Sequence, residues 1–416
     1  MPTNTKRVFL PKLTKTPFSS IPFFIILAVL IPLFGISAWI IVSALDYQNS
    51  DFFTFWLAGR LLSHGQNPYE TGLWLEGHRQ FGADWVPNSI FPYPLPLALI
   101  TLPLGLFQLK TAYVIWICLS QLFITLSIYL SVSWDSKVRI KHLFLPLLLG
   151  AFLFRPALVT LRNGQLSAFL LFILALTLYL WNHQKWWQGA VVASFLILKP
   201  TIGLPVLGLS VLYLLILKKV RAIGALVFSL SLLAAFGWLI DPGWLNKFLT
   251  VGGGKFSETF GYNPTIWGMA GYACQQASLC TTAAGGALAL GLVVAIIILI
   301  TTRGRLTPPG LMLSLIIPVS LLVTPYLWAY DQILLIICVT VLADLFIRKG
   351  YPYLLVACFP ILFSLISLLL LYLAVITGHD AWSAVLSLIV LVAIWMQLLK
   401  DPPDSVKEPI SLELIL

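Results

Sequence analysis

Long apolar runs alternate with short polar breaks along almost the whole chain. Each run holds about twenty residues, enough for a helix to cross the roughly 30 Å hydrocarbon core of a membrane. The pattern predicts an all-α polytopic membrane protein with about twelve transmembrane helices, in a range of about 11 to 13. The predicted spans are 22–45, 111–133, 143–160, 166–181, a tight hairpin of 188–198 and 200–217, 222–240, 282–301, 310–324, 332–346, 352–376 and 381–399.

One apolar segment, Ile90–Phe107, does not fit this series. It contains Pro92, Pro94, Pro96 and Pro103, and proline breaks the interior of a helix. We expect a re-entrant or broken helix there, because irregular backbone at membrane depth is tolerated only where protein or a cavity surrounds it. A true span that violates the charge rule is the alternative.

The composition supports the same class of protein. The 416 residues are 59% hydrophobic and 10% charged, with a mean hydropathy of +0.96, whereas soluble domains carry about 25% charged residues. The net charge of +10 does not indicate nucleic-acid binding, since lysine and arginine mark the cytoplasmic loops of membrane proteins.

The basic residues also predict the orientation. They place both chain ends inside, and the first apolar run is too long for a cleaved signal peptide. The polar, aromatic and glycine-rich motifs then share the outer face. The resulting organisation is a cytoplasmic N-terminus (1–21), a single transmembrane domain (22–399) with large outer loops at 46–89 and 241–281, and a cytoplasmic tail (400–416).

Two carboxylates stand just past the first predicted span. Asp46 and Asp51 lie where the membrane would meet water, and a carboxylate kept there is a functional-site hypothesis by default. Asp51 precedes FFTFWLAGRLL, whose apolar positions recur at helical spacing around one charge, Arg60, so we predict an amphipathic interfacial helix. Asp51 is either its N-cap or a general base. Composition alone does not show which of the two carboxylates, Asp46 or Asp51, is the functional one.

Three further motifs are predicted on the same face. The RNGQ sequence at 162–165 offers a guanidinium and two amides for hydroxyls or phosphate, although a helix cap explains it equally well. Lys199 lies in the apolar stretch LILKPTIGLP and needs an anionic partner, for which a lipid phosphate is the natural candidate. The aromatic loop 324–331 ends at Asp331, which an aromatic belt with an N-cap would also explain.

The cysteines and histidines indicate less. The five histidines show no metal-ligand spacing. Cys274 and Cys280 share the second large outer loop, where an oxidising space allows a small disulfide between them.

The motifs together resemble a known family. SDFFTFWLAGRLLSHGQNPYE, followed by FPYPLPLALITLPL, resembles glycosyltransferase family 87, whose members are polyprenyl-phosphate-sugar-dependent enzymes of the GT-C superfamily. NGQLSAFLLFILALTLYLW, WWQGAVVASFLILKP and TPYLWAYDQILLI are similar to later family elements, in family order. The likeness is spread over residues 46–335 and implies a GT-C-like bundle. The chain departs from the family at Leu95, where a second proline is usual, and at Tyr330-Asp331, where some members carry histidine.

The resemblance implies an inverting transfer of a sugar, mannose first and a pentose such as arabinose next, from a polyprenyl phosphate. Asp51 matches the family's catalytic carboxylate and would deprotonate the acceptor hydroxyl, with Asp46 as the runner-up. Lys199, and secondly Arg162, would bind the donor phosphate. No cofactor is required, and a divalent metal, which the wider superfamily admits, is not indicated. The expected sugar- and acceptor-binding residues are Gln165, Asn163, Tyr93, Arg60, Trp328, Tyr330 and Asp331.

Two other functions compete with this interpretation. A transporter or flippase of lipid-linked sugars would carry charges in mid-span and two related halves, whereas the charges here gather at one face. A non-catalytic membrane subunit or sugar-chain ligase is the third candidate. On the favoured interpretation the partners are a polyprenyl-phosphate-sugar donor, a lipid- or glycan-linked acceptor and membrane lipids, without nucleic acid. The protein would lie in the cell membrane with its active site on the extracytoplasmic face.

Overall fold

The computed structural model describes residues 23–86, 88–133, 140–250, 262–305 and 307–400, and these residues form helices without any strand. The helices are α1 (Phe23–Ser43), α2 (Asp51–Ser63), α3 (Thr71–Gln80), α4 (Leu95–Gly105), α5 (Leu109–Ser133), α6 (Phe144–Leu153), α7 (Arg155–Asn163), α8 (Ser167–Asn182), α9 (Trp186–Ala193), α10 (Pro200–Ile216), α11 (Val220–Ile240), α12 (Ile266–Ala273), α13 (Ser278–Arg303), α14 (Pro309–Val323), α15 (Leu335–Arg348), α16 (Tyr353–Thr377) and α17 (Ala384–Lys400). Residues 244–250 are also helical.

The polytopic all-α class is confirmed, but the predicted count of about twelve spans is not. Seven helices within the described ranges are long and apolar enough to cross a membrane, or eight if the bent pair α6–α7 is one span. The difference lies in predicted spans that fold as shorter helices, such as α8, α10 and α14. A helix of 16 residues, the length of α8, is about 24 Å long, which is less than the hydrocarbon core.

The predicted span 143–160 is broken. Helices α6 and α7 meet at an angle of 62°, with Phe154 extended between them. Pro156, in the first turn of α7, has no N–H to continue the helix of α6. The backbone N–H of Arg155 donates instead to Ser367 on α16, at 3.0 Å. Helix α7 therefore turns away from the axis of α6, and the two helices do not form one straight span.

The segment 90–107 forms α4, an eleven-residue helix that begins after Pro94. This length agrees with a re-entrant or broken helix and not with a full span. Helix α4 packs closely against α2, because a side-chain carbon at Gly59 would meet the backbone of Thr101, and one at Gly105 would meet the backbone of Arg60. The first large loop (46–89) is thereby joined to the bundle by helix-to-helix contact.

The prediction that α2 is an amphipathic surface helix is wrong. Nine of its thirteen residues are buried, on all sides of the helix. A helix that is covered all round belongs inside a protein and not at a membrane surface. Its one internal charge, Arg60, donates to the carbonyl of Gly105 on α4 at 3.1 Å. The guanidinium therefore has a hydrogen-bond acceptor where the two helices pack together.

Candidate active site

Asp51 is the first residue of α2, and its position in the helix is now clear. The N-cap is Ser50, in an extended conformation, so Asp51 is not the N-cap that the sequence left as an alternative. The N-terminal end of a helix favours a negative charge. Asp51 as a whole residue is half-buried, and burial is the main influence on its carboxyl.

The turn after α7 supplies the partners of this carboxyl. The amides of Gln165 and Asn163 lie beside the Asp51 carboxyl, where hydrogen bonding to them favours its charged form. Gly164 between them has φ 63°, a left-handed conformation that ends α7. Two hydrogen bonds fix the turn. The hydroxyl of Tyr113 donates to the carbonyl of Arg162 at 2.6 Å, and the indole N–H of Trp116 donates to the carbonyl of Gly164 at 2.8 Å. The two amides are therefore held against Asp51 by the fold.

Burial raises the pKa of Asp51 above its ordinary value, although the hydrogen bond from Gln165 and the positive charge of Lys199 oppose the shift, and the nearby charge of Asp331 adds to it. A carboxylate with a raised pKa is a stronger base than an ordinary one and suits proton abstraction near neutral pH. The surroundings of Asp51 are therefore those of a general base.

A buried ion pair lies beside this carboxylate. The Nζ of Lys199 is 2.5 Å from Oδ1 of Asp331, and the two side chains are 5% and 1% exposed. Ser167 donates to the same oxygen at 2.5 Å, and the ammonium lies 4.5 Å from the centre of the Tyr330 ring. The anionic partner that the sequence required for Lys199 is thus Asp331. Its binding of a donor phosphate stays a prediction.

Arg162 is placed differently. Its side chain is exposed, and no ion pair with it occurs in the described part of the chain. It precedes Asn163, so its guanidinium is carried by the same turn that supplies the amides to Asp51. Arg162 is therefore an exposed cation on the turn that carries Asn163 and Gln165.

Tyr93 closes another side of the site. Its phenol lies beside Gln165 and near Asp51, and burial raises its pKa well above the ordinary value, so it stays neutral. Its backbone carbonyl accepts a hydrogen bond from the hydroxyl of Tyr69. Tyr326, from the loop that precedes Asp331, is near both acids. Two neutral phenols thus border the carboxylate.

The structure does not bring every predicted residue to this site. Asp46 is exposed and accepts a hydrogen bond from Asn49 at 2.7 Å. Arg60 is nine residues from Asp51 along α2, about 13 Å, and is bonded to α4. Trp328 is 37% exposed at the edge of the loop, and Tyr330 lies beneath Lys199.

Two features were not anticipated from the sequence. Ser167, which completes the Lys199–Asp331 group, had no signal beyond its place just after the RNGQ motif. Asp241 connects the two large loops: it accepts hydrogen bonds from Asn67 at 2.8 Å and from Lys247 at 2.6 Å.

The disulfide that the sequence allows is present: Cys274 and Cys280 are joined, with their Cα atoms 5.8 Å apart.

The family model of glycosyltransferase family 87 matches residues 91–325, more than half of the chain. The matched range contains Tyr93, Gln165 and Lys199, whereas Asp51 and Asp331 lie outside it. No curated protein and no solved structure matches the chain.

Proposed function

The chain belongs to glycosyltransferase family 87, and we propose that it moves a sugar from a polyprenyl phosphate to a hydroxyl of a lipid- or glycan-linked acceptor. The expected sugar is mannose, and the expected location of the site is the extracytoplasmic face of the cell membrane. The observation that carries the proposal is Asp51, a carboxyl with a raised pKa that lies beside two amides of the turn on which the exposed Arg162 stands.

In the proposed reaction Asp51 accepts the proton of the acceptor hydroxyl while that oxygen attacks the anomeric carbon of the sugar. The bond between this carbon and the phosphate oxygen breaks, its electron pair leaves with the polyprenyl phosphate, and the configuration inverts. The departing phosphate needs positive charge. Arg162 supplies it most directly because its guanidinium is open, whereas a phosphate near Lys199 would share that cation with Asp331.

The sugar has a defined partner in this scheme. Oε1 of Gln165 is buried and has no hydrogen-bond partner, and the amide of the same side chain lies beside Asp51. A buried oxygen left unpaired costs free energy that a sugar hydroxyl would recover by donating to it. Gln165 therefore orients the base and the substrate together. Asn163 and the phenol of Tyr93 complete this wall of the site.

The proposal is tested with the purified protein in vesicles and a polyprenyl phosphate that carries a radiolabelled sugar. We expect labelled acceptor and free polyprenyl phosphate in equal amounts, and the same rate after EDTA, since protein cations meet the phosphate charge in this scheme. A flippase would move the donor across the bilayer without releasing polyprenyl phosphate. Transfer that occurs only from a nucleotide sugar would overturn the proposed donor.

Replacing Gln165 by leucine is expected to move the acidic limb of the pH–rate profile to higher pH. The hydrogen bond from Gln165 favours the charged form of Asp51, so its loss raises the pKa of the base, which is then protonated at pH values where it was ionised before. Activity falls most on the acidic side. The measurement is kcat/KM against pH.

The matched control is Gln66→Leu, because Gln66 is exposed on the same loop as Asp51, and its profile should be that of the wild type. An acidic limb that stays in place in Gln165→Leu, or moves to lower pH, would show that Gln165 does not tune the base.

A further inference from the structure

Four aromatic side chains form a continuous cluster outside the site described so far. The rings of Tyr262 and His379 are stacked with their centres 5.1 Å apart and their planes at 11°. Tyr272 on α12 meets His379 edge-on at 5.5 Å and Trp382 at 5.0 Å. These four residues, which we call the aromatic platform, come from distant parts of the chain, so the fold brings them together.

The platform combines exposed rings with buried polar atoms. Tyr262 and Tyr272 are 46% and 42% exposed. Nδ1 of His379 and Nε1 of Trp382 are buried and have no hydrogen-bond partner in the described ranges. An indole N–H in a protein interior usually has a partner. Exposed rings next to unpaired polar atoms are typical of a ligand site and not of a packed core.

The backbone beneath the platform is fixed. Asp380, between His379 and Trp382, pairs through Oδ1 with Nη1 of Arg155 at 2.7 Å. The hydroxyl of Ser383 donates to the same oxygen of Asp380 at 2.7 Å. The amide of Gln332 donates to the carbonyl of Ser383 at 2.7 Å. Binding residues that are held by such contacts keep their geometry before the ligand arrives.

The platform is also tied to the loop that borders Asp51. The amide of Asn263, next to Tyr262, donates to the carbonyl of Pro325 at 3.2 Å, and Pro325 precedes Tyr326, which lies near Asp51. Gln332 follows Asp331 directly. The platform and the carboxylate therefore contact the same segment, residues 325–332, through separate residues.

We propose that the aromatic platform binds a sugar ring of the acceptor, so that the acceptor is a saccharide and not only a lipid. A pyranose ring has apolar C–H faces that stack on exposed aromatic rings such as those of Tyr262 and Tyr272. This inference rests on the proposed function, since it supplies the second substrate of that reaction. It places the reacting hydroxyl at Asp51 and a more distant ring of the same glycan on the platform.

The test compares Tyr262→Ala and Tyr272→Ala with Tyr372→Ala, a control that removes a 63% exposed tyrosine from α16. With an oligosaccharide acceptor, KM for the acceptor should rise roughly tenfold in the two platform variants. KM for the donor, and the slow release of polyprenyl phosphate to water without acceptor, should stay within about twofold of wild type. The conservative Tyr272→Phe keeps the ring and should recover most of the affinity.

An unchanged acceptor KM in both platform variants would overturn the inference and leave the rings as part of an aromatic belt at the membrane surface. An equal rise in the donor KM would also overturn it, because the platform would then belong to the donor. Binding of manno-oligosaccharides, followed by saturation-transfer NMR, is independent of turnover. Signals that disappear in Tyr272→Ala support the platform even if the wild type releases no polyprenyl phosphate, a result that contradicts the proposed function alone.

Discussion

Replacing Asp51 by asparagine is expected to lower the rate of sugar transfer by about 10²- to 10⁴-fold, the range that a positioned general base contributes. Asparagine has nearly the same shape as aspartate, but it cannot accept the proton of the acceptor. The donor should therefore bind as before, and kcat should fall much more than KM for the donor changes. Steady-state assays with labelled donor measure both quantities.

Asp46→Asn is the matched control, because it makes the same chemical change on an exposed carboxylate five residues earlier. Asp46 contacts Asn49 and none of the site residues, so this variant should keep the wild-type rate within about twofold. Full transfer by Asp51→Asn, with normal donor binding, would contradict the assignment of Asp51 as the base.

Replacing Lys199 by methionine is expected to reduce the free energy of unfolding by about 3–5 kcal/mol, because it leaves the carboxylate of Asp331 buried without its cation. Ser167 alone does not neutralise that charge. The loss should appear as a lower temperature of unfolding in detergent and as a smaller yield of folded protein. Lys185→Met, which removes an exposed lysine in the same part of the chain, should change neither quantity appreciably.

The double variant Lys199→Met with Asp331→Leu separates stability from donor binding. With both charges removed, much of the lost stability should return, since apolar residues of similar volume replace buried ion pairs at little cost. If this folded variant shows the wild-type KM for the donor, Lys199 has no part in phosphate binding and Arg162 is the relevant cation. A single Lys199→Met variant as stable as wild type would show that the pair is not needed in the folded state.

The apolar pattern predicted most of the helices, because a long apolar run forms a helix without needing contacts to distant residues. The spans predicted at 22–45, 222–240 and 352–376 correspond within a few residues to α1, α11 and α16. The pattern failed at 143–160, where Pro156 and a hydrogen bond to Ser367 on a distant helix divide one apolar run into two helices. It also failed for α2, whose burial depends on close packing against α4.

The candidate site was predicted less completely, since its geometry depends on contacts between distant residues. Asp51 and Gln165 stood out as polar residues at the ends of apolar runs, and the family resemblance joined them. The partner of Lys199 is 132 residues away, so the sequence showed that an anion was needed without showing which one. The aromatic platform was missed because tyrosine and tryptophan near a membrane surface are common and carry no mark of their contacts.

The pairing of Lys199 with Asp331 has a consequence for biosynthesis. The ribosome makes Lys199 132 positions before its counter-ion Asp331, so the nascent chain must hold an uncompensated ammonium between two apolar helices during that interval. A charge in that setting is costly until it is paired. The hairpin of α9 and α10 is therefore expected to remain loosely inserted, or shielded by the insertion machinery, and to lock only when residue 331 arrives. The ion pair thus sets an order of assembly in which the candidate site closes late.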